Sequence, residues 1–312
     1  MLFAFFLNSC DDGDLTVETF NFDEIKATSC QNSLTNELIY KIKGQESLLL
    51  KIPSALLKNE STVEGEPELL TIDDKSIRLV YRAYDGAVTT ANICDDIKPV
   101  TPNVINEWFA LGGTLSIITK PSYTINEEEN SSRINGYTHN ISITNITFAK
   151  PQTQIGPSFV FGDYTTTLKD TETLNLVFDE SALQCGTSKL IYNSNGFESL
   201  TIENPETDLI VNTPTLPGSP RIKNISATNN KVAFKVYNNR LPDDYFCITP
   251  TPATPLIRET WTAESGTIEV ETTTLGGNFK HIISFKNVKL VKGNVSFFLG
   301  NKFKSWELIT TP

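Results

Sequence analysis

The 312-residue chain contains only two histidines, His139 and His281. Histidine is the side chain whose ordinary pKa suits proton transfer near neutrality, so these two are the first candidates for chemistry. Each lies in a run where every second residue is large and apolar: Tyr137, His139, Ile141, Ile143 and Phe279, His281, Ile283, Phe285. On a strand this puts the ring on the apolar face. A core histidine bonded to its surroundings is therefore favoured over a general base. No His-x3-His or His-Glu-x-x-His spacing offers zinc ligands, no Gly-x-Ser-x-Gly elbow offers a nucleophile, and no Gly-x-x-x-x-Gly-Lys loop offers a phosphate cradle. The expectation is no catalytic residue, no metal ligand and no cofactor. Asp73-Asp74, Asp95-Asp96 and Asp243-Asp244 would suit calcium or glycosidase chemistry, but adjacent strand residues face opposite ways. They read as loop solubilisers, with a weak calcium site at Asp95-Asp96 as the alternative.

The elements that position these groups come in two copies. Leu38-Ile39-Tyr40, Gly44 and Glu46-Ser47-Leu48 recur as Leu190-Ile191-Tyr192, Gly196 and Glu198-Ser199-Leu200, an offset of 152 (190 − 38). Farther on the offset is 153 (261 − 108): Tyr84 matches Tyr237, Cys94 matches Cys247, and Trp108 matches Trp261. His139, Ile141, Ser142 and Asn145 then match His281, Ile283, Ser284 and Asn287, and Ser158-Phe159 and Gly162 are matched to Ser296-Phe297 and Gly300. Collinear self-similarity marks an internal duplication. The expected organisation is an apolar leader over 1–10, an acidic tether over 11–16, one repeat over 17–166 and a second over 170–312.

Four of the five cysteines fall two per repeat. If each copy staples itself, the pairs are Cys30–Cys94 and Cys185–Cys247, closing loops of about 60 residues worth roughly 4 kcal/mol in the chain-entropy model. Structural disulfides imply an oxidising compartment.

Period-two alternation predicts strands over Ile77–Ala83, Gly113–Thr119 and Tyr137–Phe148, and over Lys231–Tyr237, Gly266–Glu271 and Phe279–Leu290. After Asn145 and Asn287 the apolar residues change parity, which predicts a β-bulge at each asparagine. No window carries a helical stripe over three turns. The expected fold is all-β: two tandem antiparallel β-sandwiches, Ig-like, with calycin-like barrels as the alternative. Trp108 and Trp261 are expected as core anchors near each disulfide. Trp306 has no match and is a candidate binding residue. So are Glu127, Glu128 and Glu129, in the loop Asn126–Asn135 that the second copy largely lacks.

The net charge of −11 repels phosphate backbones, so nucleic acid is excluded as an expected partner. At the front, apolar residues 2–7 lead to Leu7-Asn8-Ser9-Cys10, followed by Asp11-Asp12-Gly13-Asp14. This resembles the lipobox of bacterial lipoproteins and the acidic surface-export signal of Bacteroidota lipoproteins. The resemblance implies lipidation of Cys10 and attachment to the outer membrane, facing the cell surface or the periplasm. A secretory signal normally has a charged start and a longer apolar region, so further residues are expected before Met1. The expected function is a non-enzymatic binding or structural lipoprotein, whose partners are the membrane through its lipid and a glycan or another surface protein. A glycan-binding accessory of a nutrient-uptake system is the alternative.

Overall fold

The computed structural model describes residues 21–30, 36–149, 154–155, 158–169 and 173–312. The lipobox residues Leu7 to Cys10 and the tether beginning at Asp11 and Asp12 lie outside the described residues.

Nearly all of the described chain is strand or loop. The first half holds β1 (Thr28–Cys30), β2 (Asn36–Lys43), β3 (Glu46–Pro53), β4 (Glu68–Ile72), β5 (Arg78–Tyr84), β6 (Val104–Asn126), β7 (Ser131–Ala149), β8 (Gln154–Ile155) and β9 (Phe159–Thr167). The second holds β10 (Leu183–Gln184), β11 (Ile191–Ser194), β12 (Glu198–Glu203), β13 (Arg221–Asn224), β14 (Lys231–Tyr237), β15 (Ile257–Leu275), β16 (Asn278–Lys292), β17 (Val295–Phe298) and β18 (Trp306–Thr310). A five-residue helix, α1 (Thr90–Cys94), precedes β6. The strand order is β1-β2-β3-β5-β6-β7-β8, with β4 added on β6 and β9 on β7. The second sheet repeats it, β10-β11-β12-β14-β15-β16-β17, with β13 on β15 and β18 on β16. The fold is all-β and antiparallel, as expected, and the duplication extends to every strand pairing.

Each sheet folds over itself through its two longest strands. β6 pairs with β5 as far as Phe109 and with β4 from Gly113 onward. β7 pairs with β9 over Gly136–Ile143 and with β8 at Thr147 and Phe148. Both change partners at the same level, where the register shifts around Gly112. There Asn145 takes a left-handed φ of 53° opposite Gly113, and in the second sheet Asn287 (52°) faces Gly266. These are the bulges the parity change foretold. A Cβ on Gly266 would sit 2.8 Å from the Val288 Cα, so the close approach of the two strands requires glycine.

The fold-over encloses a core. Leu48, Leu50, Leu79 and Trp108 on one layer and Ile72, Leu115, Ile117, Ile141 and Phe161 on the other form one buried cluster. Leu200, Phe234 and Trp261 meet Ile268, Val270, Phe285 and Trp306 in the second. Each such side chain contributes about 1.5–3 kcal/mol of burial. Cys30–Cys94 and Cys185–Cys247 are bonded as the duplication indicated, with Cα atoms 5.3 and 5.2 Å apart.

Two sequence expectations change. Trp108 and Trp261 are core anchors, but the first disulfide packs on the opposite face of its sheet, among Tyr40, Leu49, Val80, Ile93 and Phe109. Phe109, the next residue, faces it because strand side chains alternate. The match of Ser158-Phe159 and Gly162 to Ser296-Phe297 and Gly300 is also overturned. Phe159 begins β9, whereas Phe297 lies on β17, the counterpart of β8. Register through the histidines instead places Gly162 (opposite Ile141) at the position of Trp306 (opposite Ile283).

Gly266→Ala is expected to destabilise the protein by about 2 kcal/mol or more, the scale of backbone overpacking. Gly112→Ala, where a Cβ meets nothing within 4 Å, is expected to leave the denaturation midpoint almost unchanged. Equal effects in chemical denaturation would refute the role given to the bulge.

Candidate functional site

Both histidines lie on the long strands and are fully buried. His139 Nδ1 is 2.9 Å from Thr119 Oγ1, and its Nε2 is 3.2 Å from Thr166 Oγ1, which donates to Asn59 Oδ1 at 2.6 Å. His281 repeats the arrangement: Nδ1 is 2.8 Å from Thr272 Oγ1, and Nε2 is 2.9 Å from Thr310 Oγ1, which donates to Asn212 Oδ1 at 2.6 Å. Because Thr310 gives its one proton to Asn212, it accepts from His281 Nε2–H. Nδ1 is thereby the acceptor, and Thr272 donates to it while accepting from Arg221 Nη1 at 2.7 Å. Thr62 and Thr215 close each network by donating N–H to the carbonyls of Thr119 and Thr272, at 3.1 and 3.0 Å.

Burial pushes the His139 pKa down from 6.5 to about 4. Burial, reinforced by the Arg221 charge, also lowers that of His281. Each ring is neutral near pH 7, with both nitrogens engaged by hydroxyls. A ring held this way fixes three strands and an incoming loop. A base acting on substrate needs a free nitrogen within reach of it.

One acidic pair, Asp73-Asp74, is tied into its own turn. Asp73 Oδ1 accepts the N–H groups of Lys75, Ser76 and Ile77, which hold its carboxyl below the usual range, and Asp74 pairs with Arg78 at 3.1 Å. Among the described residues no three His, Cys, Asp or Glu side chains are grouped to hold a metal ion. All three tryptophans are buried. Trp306 is packed edge-on against Phe178 and Phe285, so its ring offers no face to a ligand, contrary to its candidacy.

The loop carrying Glu127, Glu128 and Glu129 docks onto the second half. The β6–β7 hairpin outruns its counterpart, and its tip meets β17 and the turn after it. Ser131 bridges to Leu299. Arg133 donates Nη1 to the Phe298 carbonyl (2.7 Å) and Nη2 to that of Leu299 (3.0 Å), and its guanidinium lies 5.5 Å from the Phe297 ring centroid. Phe298 N donates to Ser132 Oγ at 3.0 Å, and Asn301 N donates to the Glu129 carbonyl at 2.7 Å. Glu129 also faces Lys302 at 3.9 Å, while Glu127 and Glu128 are exposed. Ile134 packs against the second core.

Beside this bracket lies a cleft of about 620 Å³, within the range of small-molecule sites. Asn59, Arg133 and Tyr137 line it from the first half, and Glu259, Trp261, Lys292 and Phe297 from the second. Lys292 lies 5.0 Å from the Trp261 ring centroid and 2.7 Å from Glu259. The cleft offers both charge signs, an amide and apolar walls.

Sequence reasoning missed the threonines and asparagines around the histidines. Asn59/Asn212, Thr62/Thr215 and Thr119/Thr272 all keep the offset of 153 (212 − 59), and that was the available signal. Arg133 has no counterpart in the second copy and carried no such signal. In comparisons with protein-family models, curated proteins and solved structures, nothing matches this chain.

A histidine whose folded pKa is depressed supports the fold fully above pH 6.5 and loses that support as pH falls toward 4. Denaturation midpoints are therefore expected to fall across that window. His139→Gln should flatten the dependence by up to about 1.4 kcal/mol per pH unit, one proton's share. An unchanged slope would show that His139 is not held neutral. Separately, Arg133→Ala strands two carbonyls and should speed hydrogen exchange at the Phe298 and Asn301 amides at least tenfold, about 1.4 kcal/mol of lost docking. Unaltered exchange there would mean that the bracket does not depend on Arg133.

Proposed function

We propose that the protein is a lipid-anchored lipoprotein of the outer membrane, attached through Cys10, that acts as a non-enzymatic binding or structural module at the cell surface or facing the periplasm. The observation that carries this reading is the junction. Two stapled halves are held by a dedicated hairpin whose backbone and arginine contacts leave a cleft of about 620 Å³ between them. The histidines support it too, since their hydrogen-bonding capacity is spent on the scaffold. Two disulfides fit an extracytoplasmic compartment. Among the described residues no helix is long and apolar enough to cross a membrane, and attachment in this reading runs through lipid alone. The partner in this reading is a surface protein or small molecule seated at the junction. A glycan remains the alternative ligand, with polar cleft groups rather than a tryptophan platform to hold it, because all three tryptophans are buried.

The anchor is tested in cells labelled with a fatty acid. The wild-type protein should take up label and partition with detergent, and Cys10→Ala should abolish both. Equal behaviour of the two proteins would overturn the lipid-anchored reading.

A further inference from the structure

The outer face of the β3–β5–β6 layer carries a small pocket, apart from the junction cleft. Leu49, Val80 and Phe109 sit side by side in register across the three strands. On one flank Lys51 and Arg78 are direct cross-strand partners; on the other, Arg82 pairs with Glu107. Ile93 of α1 and Lys98 of the following loop overhang this row, and together they enclose about 170 Å³. The stapled segment ending at Cys94 thus roofs a small apolar floor ringed by four cations.

The second half fills the same place differently. Its floor is Thr201, Ala233 and Thr262, in the same register. Where the first half has Lys51 it has Glu203, which accepts from Lys231 and Lys235, each at 2.9 Å. Burial works against the charged form of Glu203, but the two lysines outweigh it and hold the carboxyl below its ordinary range. Glu203 joins the two flanks into a closed ion network.

In the first half the cations are left over. Arg78 leans on Asp74 at 3.1 Å and Arg82 on Glu107, yet Lys51 and Lys98 have no ion pair among the described residues. Like charges directly opposite on neighbouring strands are destabilising. Replacing a bridging carboxylate by a lysine, over a floor turned from threonine to leucine and phenylalanine, creates a place that wants an anionic group from outside. The Arg78 guanidinium, 5.7 Å from the Phe109 ring centroid, already shows that charge and aromatic face lie side by side.

We propose that this pocket binds a small organic anion: a carboxylate on an aromatic or branched aliphatic body, its charge taken by Lys51, Arg78 and Lys98 and its body by Leu49, Val80 and Phe109. The ligand's carboxylate stands where Glu203 stands in the second half. A volume of about 170 Å³ suits one such molecule.

Benzoate is the probe, titrated into the full chain and followed by saturation-transfer NMR and by the melting midpoint at low salt. Wild type should give a saturable signal that weakens as salt rises, and inorganic phosphate, lacking the apolar body, should bind at least tenfold more weakly. Lys51→Glu imports the second half's own solution. It should reduce benzoate affinity at least tenfold while leaving the ligand-free melting midpoint equal or higher. Lys98→Gln, on an exposed loop where folding is not at issue, should weaken binding severalfold. Absence of a saturable benzoate signal, equal affinity of wild type and both variants, or phosphate binding as tightly as benzoate would each overturn the proposal.

Discussion

Two very long antiparallel strands must bend without losing their ladder, and both sheets depend on that constraint. A strand of 19 or 23 residues left straight would extend past any core this chain can build. The structure solves the problem in one place per sheet. An asparagine in the left-handed region and a glycine on the facing strand let the pair change direction and exchange partners. Asparagine tolerates positive φ better than most side chains, and glycine admits the close approach. Every later feature lies at a fixed distance along these strands from that bend. The tryptophan is on one side of it; the histidine and the hairpin tip are on the other.

The buried histidine follows from the bend. Beyond it, β6 and β7 share a narrow layer with only β4 and β9. The layer's far end lies close to the chain that crosses over before β4, which brings Asn59 and Thr62 against Thr119 and Thr166. A wholly apolar side chain there would take away the bonds that His139 makes to the Thr119 and Thr166 hydroxyls, and an unpaired buried polar group costs about 1–3 kcal/mol. A neutral imidazole supplies one donor and one acceptor in the same plane, which suits two hydroxyls on opposite strands. The same solution in both halves, with Arg221 added in one, identifies it as a requirement of the architecture.

How much of this is legible in sequence depends on whether the signal is periodic or relational. The period-two runs locate β5, β14 and the inner parts of the long strands, and the parity change after Asn145 and Asn287 locates the bends. The disulfide pairing is legible only through the duplication. Other elements depend on relations no local pattern states. β4 and β13 are short strands with one partner each, and the Gly162–Trp306 equivalence is visible only in strand register. The acidic hairpin tip has the composition of a solvated loop, because its docking runs mainly through backbone groups, Asn130, Ser132 and Arg133, with Glu129 alone of its glutamates in an ion pair across the junction. The Trp306 candidacy failed for a related reason: with glycine at the matching position, nothing in the sequence marked the ring as core.

The duplication also bears on how charge is handled in an acidic protein. At −11 overall, most of the surface repels anions. Screening confines that repulsion to about 8 Å at physiological salt, so a local cluster is governed by its own neighbours. Around Lys51 those neighbours include Arg78 across the ladder and Lys98 above, with the carboxylates of Asp74 and Glu107 engaged by the two arginines. On the equivalent ground in the second half both lysines are paired with Glu203. Both halves keep the same strand pairings, a staple at matching positions and the same histidine clamp, so the scaffold's needs are met in either state of this face. What differs is charge and the polarity of the floor, at positions whose change leaves the scaffold intact. Glu203 pairs with both flanks of this face in the second half, whereas Lys51 and Lys98 have no ion pair among the described residues of the first, and the proposed anion takes the place that Glu203 holds.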